Sequence, residues 1–91
     1  MEFEWDADKA ASNLAKHGVS FEEASTVFGD PVATTVLDRG HSVGEERWLT
    51  TGLSQQGRLV IVWHTNRGGV IRIIGARHAS SSERRIYESG E

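Results

Sequence analysis

The sequence predicts an α+β domain: two N-terminal helices, a four-stranded antiparallel meander and a C-terminal helix. Three observations carry this. The first thirty residues hold capped, helix-spaced apolar patterns. The pattern switches to β-branched runs from Val32. Those runs are joined by short turn signals, which leave no room for crossover connections. Ninety-one residues suit one domain, taken as 1–91.

The elements follow in order. Asp6 is a fitting N-cap for a first helix, with Ala7, Ala10, Leu14 and His17 at helical spacing and Gly18 as the stop. Ser20 and Glu23 form a capping-box pattern for a second, short helix. Its apolar face is Phe21, Ala24, Val27 and Phe28, and Gly29-Asp30-Pro31 ends it. Strands are expected at 32–37, 47–53, 59–63 and 70–76, with a loop at 40–44. The run 59–63 is apolar on both faces, so it reads as a central strand with Trp63 in the core. Asn66-Arg67-Gly68-Gly69 is a hairpin signal. Ser80 and Glu83 repeat the capping box and open the last helix, through about residue 88.

Composition narrows the function. There is no cysteine, which excludes disulfide scaffolds, thiolate metal sites and cysteine nucleophiles. The start carries no signal-peptide pattern, and the longest apolar run is too short to span a bilayer, so a cytoplasmic location is expected. The net charge of −3 is unevenly spread. Residues 1–46 carry three cations against ten acids, a net of −7. Residues 47–91 carry seven arginines, no lysine and three glutamates, a net of +4. Arginine grips phosphate in bidentate fashion and stacks on bases, so this half suits a polyanion.

Three clusters can carry chemistry. The first is the last strand and the helix after it. Arg77 stands where the strand gives way to a helix N-terminus, a favourable place for an anion. Arg84 and Tyr87 share one face of that helix. Strand parity sends Arg72 and Arg77 to opposite faces unless Gly75 marks a bulge. The second cluster is Glu45-Glu46-Arg47-Trp48, where a carboxylate general base stands beside a phosphate clamp. The third is Lys16-His17, at the C-terminal turn of the first helix. None of the four histidines has the paired spacing of a metal site, so neither metal nor cofactor is expected. Histidine acid–base work stays open.

Phe3-Glu4-Trp5-Asp6, then Lys9, Asn13 and the run from Lys16-His17-Gly18-Val19 through Ser20-Phe21-Glu22-Glu23-Ala24 resemble the opening of BrnT toxins. So do Val27-Phe28 and Asp30-Pro31. Gly44-Glu45-Glu46-Arg47, Ile71-Arg72-Ile73-Ile74, Ala76-Arg77, Ala79 and Glu83-Arg84-Arg85 with Tyr87 extend the likeness over almost the whole chain. Gly75 and His78 depart from it, standing where the family pattern has Ser and a basic residue or Pro. The resemblance implies a RelE-like fold and a type II toxin that cleaves RNA to arrest translation. It also implies a BrnA-like antitoxin, through which the complex meets operator DNA.

The leading expectation is therefore a metal-independent endoribonuclease. Its catalytic candidates are Arg77, Arg72, Arg84, Glu46 and His17. Arg47, Arg67, Lys16 and Tyr87 are candidates for RNA binding. The alternative is a non-catalytic nucleic-acid or protein binding module that acts as a corepressor with a DNA-binding partner.

Overall fold

The structure, a computed structural model, describes residues 1–41 and 44–90. Residues 42 and 43, in the expected loop, and Glu91 lie outside them. The order is β1 (Glu2–Glu4), α1 (Ala7–His17), α2 (Phe21–Thr26) with a 3-10 turn at Val27–Gly29, and β2 (Thr34–Leu37). A second 3-10 turn at Arg39–His41 leads to β3 (Trp48–Leu53), β4 (Leu59–Arg67), β5 (Val70–His78) and α3 (Ser81–Ser89).

The α+β class and the meander β2-β3-β4-β5 match the sequence expectation, but the sheet is five-stranded and mixed. Its order is β1-β5-β4-β3-β2, with β1 parallel to β5. The extra strand is only three residues long, too short for its own periodicity to show in sequence. What fixes it is remote: Phe3 sits opposite Ile71 and packs on Phe28.

The caps behave as their chemistry dictates. Asp6, Ser20 and Ser80 each accept a hydrogen bond from the backbone N–H three residues on. The box at Ser80 is complete, since the Glu83 carboxylate returns to the Ser80 N–H. The one expected at Ser20 is only half formed. Glu23 is instead buried, its carboxylate accepting from Ser54 Oγ at 2.7 Å and from Arg58 Nε at 2.8 Å, with a further short contact to Arg58 Nη2. The β4–β5 hairpin turns on Gly68 and Gly69 alone. Their φ values of 58° and 87° are the two left-handed positions a type I′ turn requires.

One face of the sheet is covered by α2. Val19, Phe21, Ala24 and Val27 pack there with Val60, Val62, Ile73 and Ala76. Gly52 allows this approach: a Cβ at that position would lie 2.9 Å from the Ala33 Cβ and 3.1 Å from Val27 Cγ1. Of the expected apolar stripe on α1, Ala10 packs against the core but the rest does not. Leu14 is 50% exposed and His17 is exposed too. The residue that docks this helix is polar. Beyond Arg72 the edge of β5 has no strand beside it, and Asn13 takes that place. Its Oδ1 accepts from the Ala76 N–H at 3.2 Å, and its Nδ2 donates to the Ala76 carbonyl at 2.9 Å and the Val19 carbonyl at 3.0 Å. Asn13 thus satisfies a strand edge that would otherwise leave buried backbone groups unpaired.

Candidate active site

The site is set by a break in the β4–β5 register. Trp63 faces Gly75, but His64 faces Ile73, so Ile74 is an extra residue in β5. Cross-strand partners share a face. Ile61, Trp63 and Thr65 alternate onto one face of β4, and their partners Arg77, Gly75 and Arg72 lie with them. The parity expectation is corrected: the bulge brings Arg72 and Arg77 to the same side of the sheet. That side is the one opposite the main core, crossed at one end by α3.

On this face a cleft of 170 Å³ opens among Lys9, Glu45, Arg47, Thr65, Arg67, Arg72 and Ile74. Four cations and one carboxylate line it. Glu45 accepts from Arg67 Nε at 2.9 Å and Nη2 at 3.1 Å, which holds its carboxyl below the usual carboxylate range. Arg72 donates to Glu4 at 2.8 Å across the β1–β5 pair. Thr65 lies at the base, 2% exposed, and its hydroxyl has no hydrogen-bond partner among the described residues. A concave site with this surplus of positive charge raises the local concentration of anions.

The other expected residues are distributed as follows. Arg77 lies further along the face, 5.3 Å from the centre of the Trp63 ring, so Trp63 is half-buried under a guanidinium rather than in the core. The Arg77 fork is taken by Glu83 at 2.8 and 2.9 Å, with a further bond to the His78 carbonyl. Lys16 and His17 line a second, shallower cleft that shares Lys9 and Ile74 with the first. Glu46 is exposed and its neighbour Glu45 lines the cleft instead. Arg84 is on the exposed surface, 3.8 Å from Glu88. Tyr87 donates to Asp30 at 2.5 Å, which pins α3 to the segment before β2 and pushes the phenol up to about 12.

Two polar lining residues, Lys9 and Thr65, lie outside the clusters that the sequence singles out. Lys9 carried a signal: a cation in the first turn of a helix opposes the dipole, so its position calls for another reason. Glu45 belongs to the second cluster, where the sequence favoured its neighbour Glu46 as the base. Thr65 gave no signal. His64, by contrast, is buried on the helix face, where its Nε2 lies 2.7 Å from Thr50 Oγ1 and burial pushes it down to about 4. It is neutral near pH 7 and is not part of the cleft. Among the described residues no group of three His, Cys, Asp or Glu side chains is placed to hold a metal ion, and no helix is long and apolar enough to cross a membrane.

The Arg77–Glu83 pair has a consequence for stability. The Arg77 hydrogen bonds hold the Glu83 carboxyl down from its ordinary 4.5 to about 2. A depressed carboxylate stabilises the fold above its unfolded pKa and loses that effect as pH falls. Unfolding free energy is therefore expected to decline between about pH 4.5 and 2, and Glu83→Gln is expected to flatten part of that decline. Urea titrations across this range, with variant and parent compared, measure it.

Fold and site define an α+β protein with one cationic, cleft-bearing sheet face. Over residues 5–83 the sequence matches the family described as the ribonuclease toxin, BrnT, of type II toxin–antitoxin systems. The chain belongs to this BrnT toxin family, and its activity is that of a ribonuclease toxin with RNA as target and an antitoxin protein as partner. The fold is also similar to the crystal structure of the Brucella abortus ribonuclease toxin BrnT, with a TM-score of 0.68 and 23% identity. That match covers 89% of this chain and 99% of the other. No curated protein sequence matches the chain.

Proposed function

We propose that the Lys9–Glu45–Arg47–Arg67–Arg72 cleft is where this toxin binds and cuts RNA, without a metal ion. The observation that carries the reading is the bulge at Ile74, because it aligns Arg72 with Thr65, Arg67 and Arg77 on one open face. A scissile phosphate in the cleft competes with Glu45 for the Arg67 fork. Once Arg67 turns to the phosphate, the Glu45 carboxylate is released to accept the proton of the 2′-hydroxyl. The 2′-oxygen then attacks phosphorus in line. Arg67, Arg72 and Arg47 stabilise the added negative charge of the phosphorane. The P–O5′ bond breaks, and Lys9 supplies the proton to the leaving 5′-oxygen. The products are a 2′,3′-cyclic phosphate and a 5′-hydroxyl.

Lys16 and His17, in the adjoining cleft, and Arg77, further along the face, are placed to meet the flanking backbone. In this reading Arg84, Glu46 and Tyr87 do not contact the reacting atoms. The toxin acts in the cytoplasm, and a BrnA-like antitoxin links it to operator DNA. Purified protein incubated with RNA in EDTA is expected to yield discrete fragments with 5′-hydroxyl and 2′,3′-cyclic phosphate ends. RNA that stays intact and only shifts in mobility would overturn the enzyme reading in favour of a binding module.

A further inference from the structure

Thr65 lies among the arginines of the cleft. Arg67 is two residues along β4 on the same face, and Arg72 pairs with Thr65 from β5. Arg47 precedes Trp48, the partner of His64, so continuing that register sets Arg47 level with Thr65 on the β3 side. All four residues line the cleft. Thr65 is buried like a core residue, yet its hydroxyl has no hydrogen-bond partner among the described residues. A buried hydroxyl left unpaired destabilises a fold, and native structures pair nearly all such groups. Elsewhere in this sheet they are paired: Thr50 Oγ1 lies 2.7 Å from Thr35 Oγ1 and 2.7 Å from His64 Nε2. The other buried side-chain atom without a partner among the described residues, His64 Nδ1, is on the opposite, helix-covered face. Chemistry says what the Thr65 hydroxyl lacks. The Lys9 ammonium and the three guanidinium groups can only donate. The Glu45 carboxylate has both oxygens on Arg67. The Thr65 proton therefore calls for an acceptor that carries negative charge into a ring of cations.

We propose that Thr65 is a further catalytic residue, whose hydroxyl donates to a non-bridging oxygen of the scissile phosphate and fixes its orientation on the floor of the cleft. This deepens the ribonuclease reading and rests on it. A phosphate that draws the Arg67 fork from Glu45 settles over Thr65. The oxygen facing the sheet meets the hydroxyl, and the arginines take the outward ones. Thr65 neither gains nor loses a proton; Glu45 and Lys9 carry both transfers. The arginines bring charge on long arms with many rotamers. A β-branched side chain is stiff at χ1, and β4 is held between β3 and β5, so Thr65 offers a fixed donor. Preorganised donors of this kind need no rearrangement as charge grows on the phosphorane.

Thr65→Val keeps the shape and removes the hydroxyl, whereas Thr65→Ser keeps the hydroxyl. Because that hydroxyl is unpaired in the free protein, the valine variant is expected to melt at or above the parent temperature. Its kcat/KM on one defined RNA is expected to fall on the order of 10- to 100-fold, the loss of one hydrogen bond to a charged group. Thr65→Ser should stay close to the parent. The acid limb of the pH–rate profile should not move in either variant, since Glu45 keeps its Arg67 partner. Full activity from folded Thr65→Val would overturn the proposal. So would a serine variant as slow as the valine one, which would place the effect in the methyl group and its packing. A shifted acid limb would also overturn it, by assigning the hydroxyl to Glu45. Should Thr65→Val not fold, Thr65→Ala carries the same comparisons. A DNA strand of the same sequence has the phosphates but no 2′-hydroxyl to attack with, and so reads binding alone. If the parent cuts no RNA but the valine variant binds this strand more weakly than the serine variant, the phosphate contact stands and the ribonuclease reading alone fails. If the parent cuts RNA and the valine variant binds and cuts equally well, the contact alone fails.

Discussion

Arg72→Ala is expected to reduce RNA cleavage by roughly 100- to 1,000-fold, the usual cost of removing one donor from a preorganised anion site. Arg67→Ala is expected to fall in the same range. Neither change should unfold the protein. Arg72 is 29% exposed and its Glu4 partner 41%, and the Arg67–Glu45 pair is 52% and 45% exposed, so solvent screens both pairs and each contributes little to stability. The two variants differ in one respect. Removing Arg67 also frees Glu45 permanently, so the acid limb of its pH–rate profile should move towards higher pH, because the Arg67 hydrogen bonds that hold the carboxyl down are gone. Arg72→Ala should move that limb the same way but less, because Arg72 acts on Glu45 through its charge alone and not through hydrogen bonds. Lysine at either position keeps charge but loses the bidentate fork, and partial activity is expected. Cleavage rates on one defined RNA, with circular dichroism as the check on folding, decide the matter. Full activity from folded Arg72→Ala and Arg67→Ala proteins would remove the cleft from the mechanism.

Glu23→Ala is expected to be strongly destabilising. The Glu23 side chain is 1% exposed, and among the described residues its oxygens are satisfied by Ser54 and Arg58. Truncation leaves a hole in the polar layer under α2 and strands the Arg58 guanidinium, which also donates to the Gly18 carbonyl at 3.2 Å. Breaking a buried pair by removing one partner costs about 3–5 kcal/mol. Arg58 is 38% exposed, so water recovers part of its hydration and the lower end, about 3 kcal/mol, is the expectation here. For a domain of this size that corresponds to a fall in Tm of roughly 12–24 °C. Such a loss is a large share of the total stability such a domain possesses. A melting curve that shifts by only a few degrees would mean that the buried carboxylate is dispensable. Arg58→Ala leaves the same carboxylate buried without its cation, and is expected to be at least as harmful.

These two cases also mark where the sequence could be read and where it could not. The meander was legible because each strand is set by local alternation and each turn by its own residues, Gly68 and Gly69 above all. The caps at Asp6, Ser20 and Ser80 were legible for the same reason. The arginines pointed to a polyanion, but not to which of them act together. That depended on a single extra residue, Ile74, opposite no partner in β4. Gly75 hinted at it, but a glycine in a strand has several explanations. Glu23 misled in a different way. Its spacing from Ser20 fits a capping box, and nothing local reveals that Arg58, 35 residues on, claims the carboxylate first. Lys9 and Arg72 meet only because β1 and β5 lie side by side, a pairing too brief to register in composition. Long-range encounters, not local propensities, assemble the cleft.

The parallel pairing of β1 with β5 also gives the protein a timetable. Glu4 and Lys9 are synthesised first, whereas Arg67 and Arg72, which complete the cleft, follow about sixty residues later. The strand that must lie beside β1 is the last of the five to be made. Contacts between residues so far apart in sequence form late, because a long loop must close before they are rewarded. The cationic cleft is therefore absent while the first half of the chain emerges from the ribosome, and it forms only when β5 has closed against the opening residues.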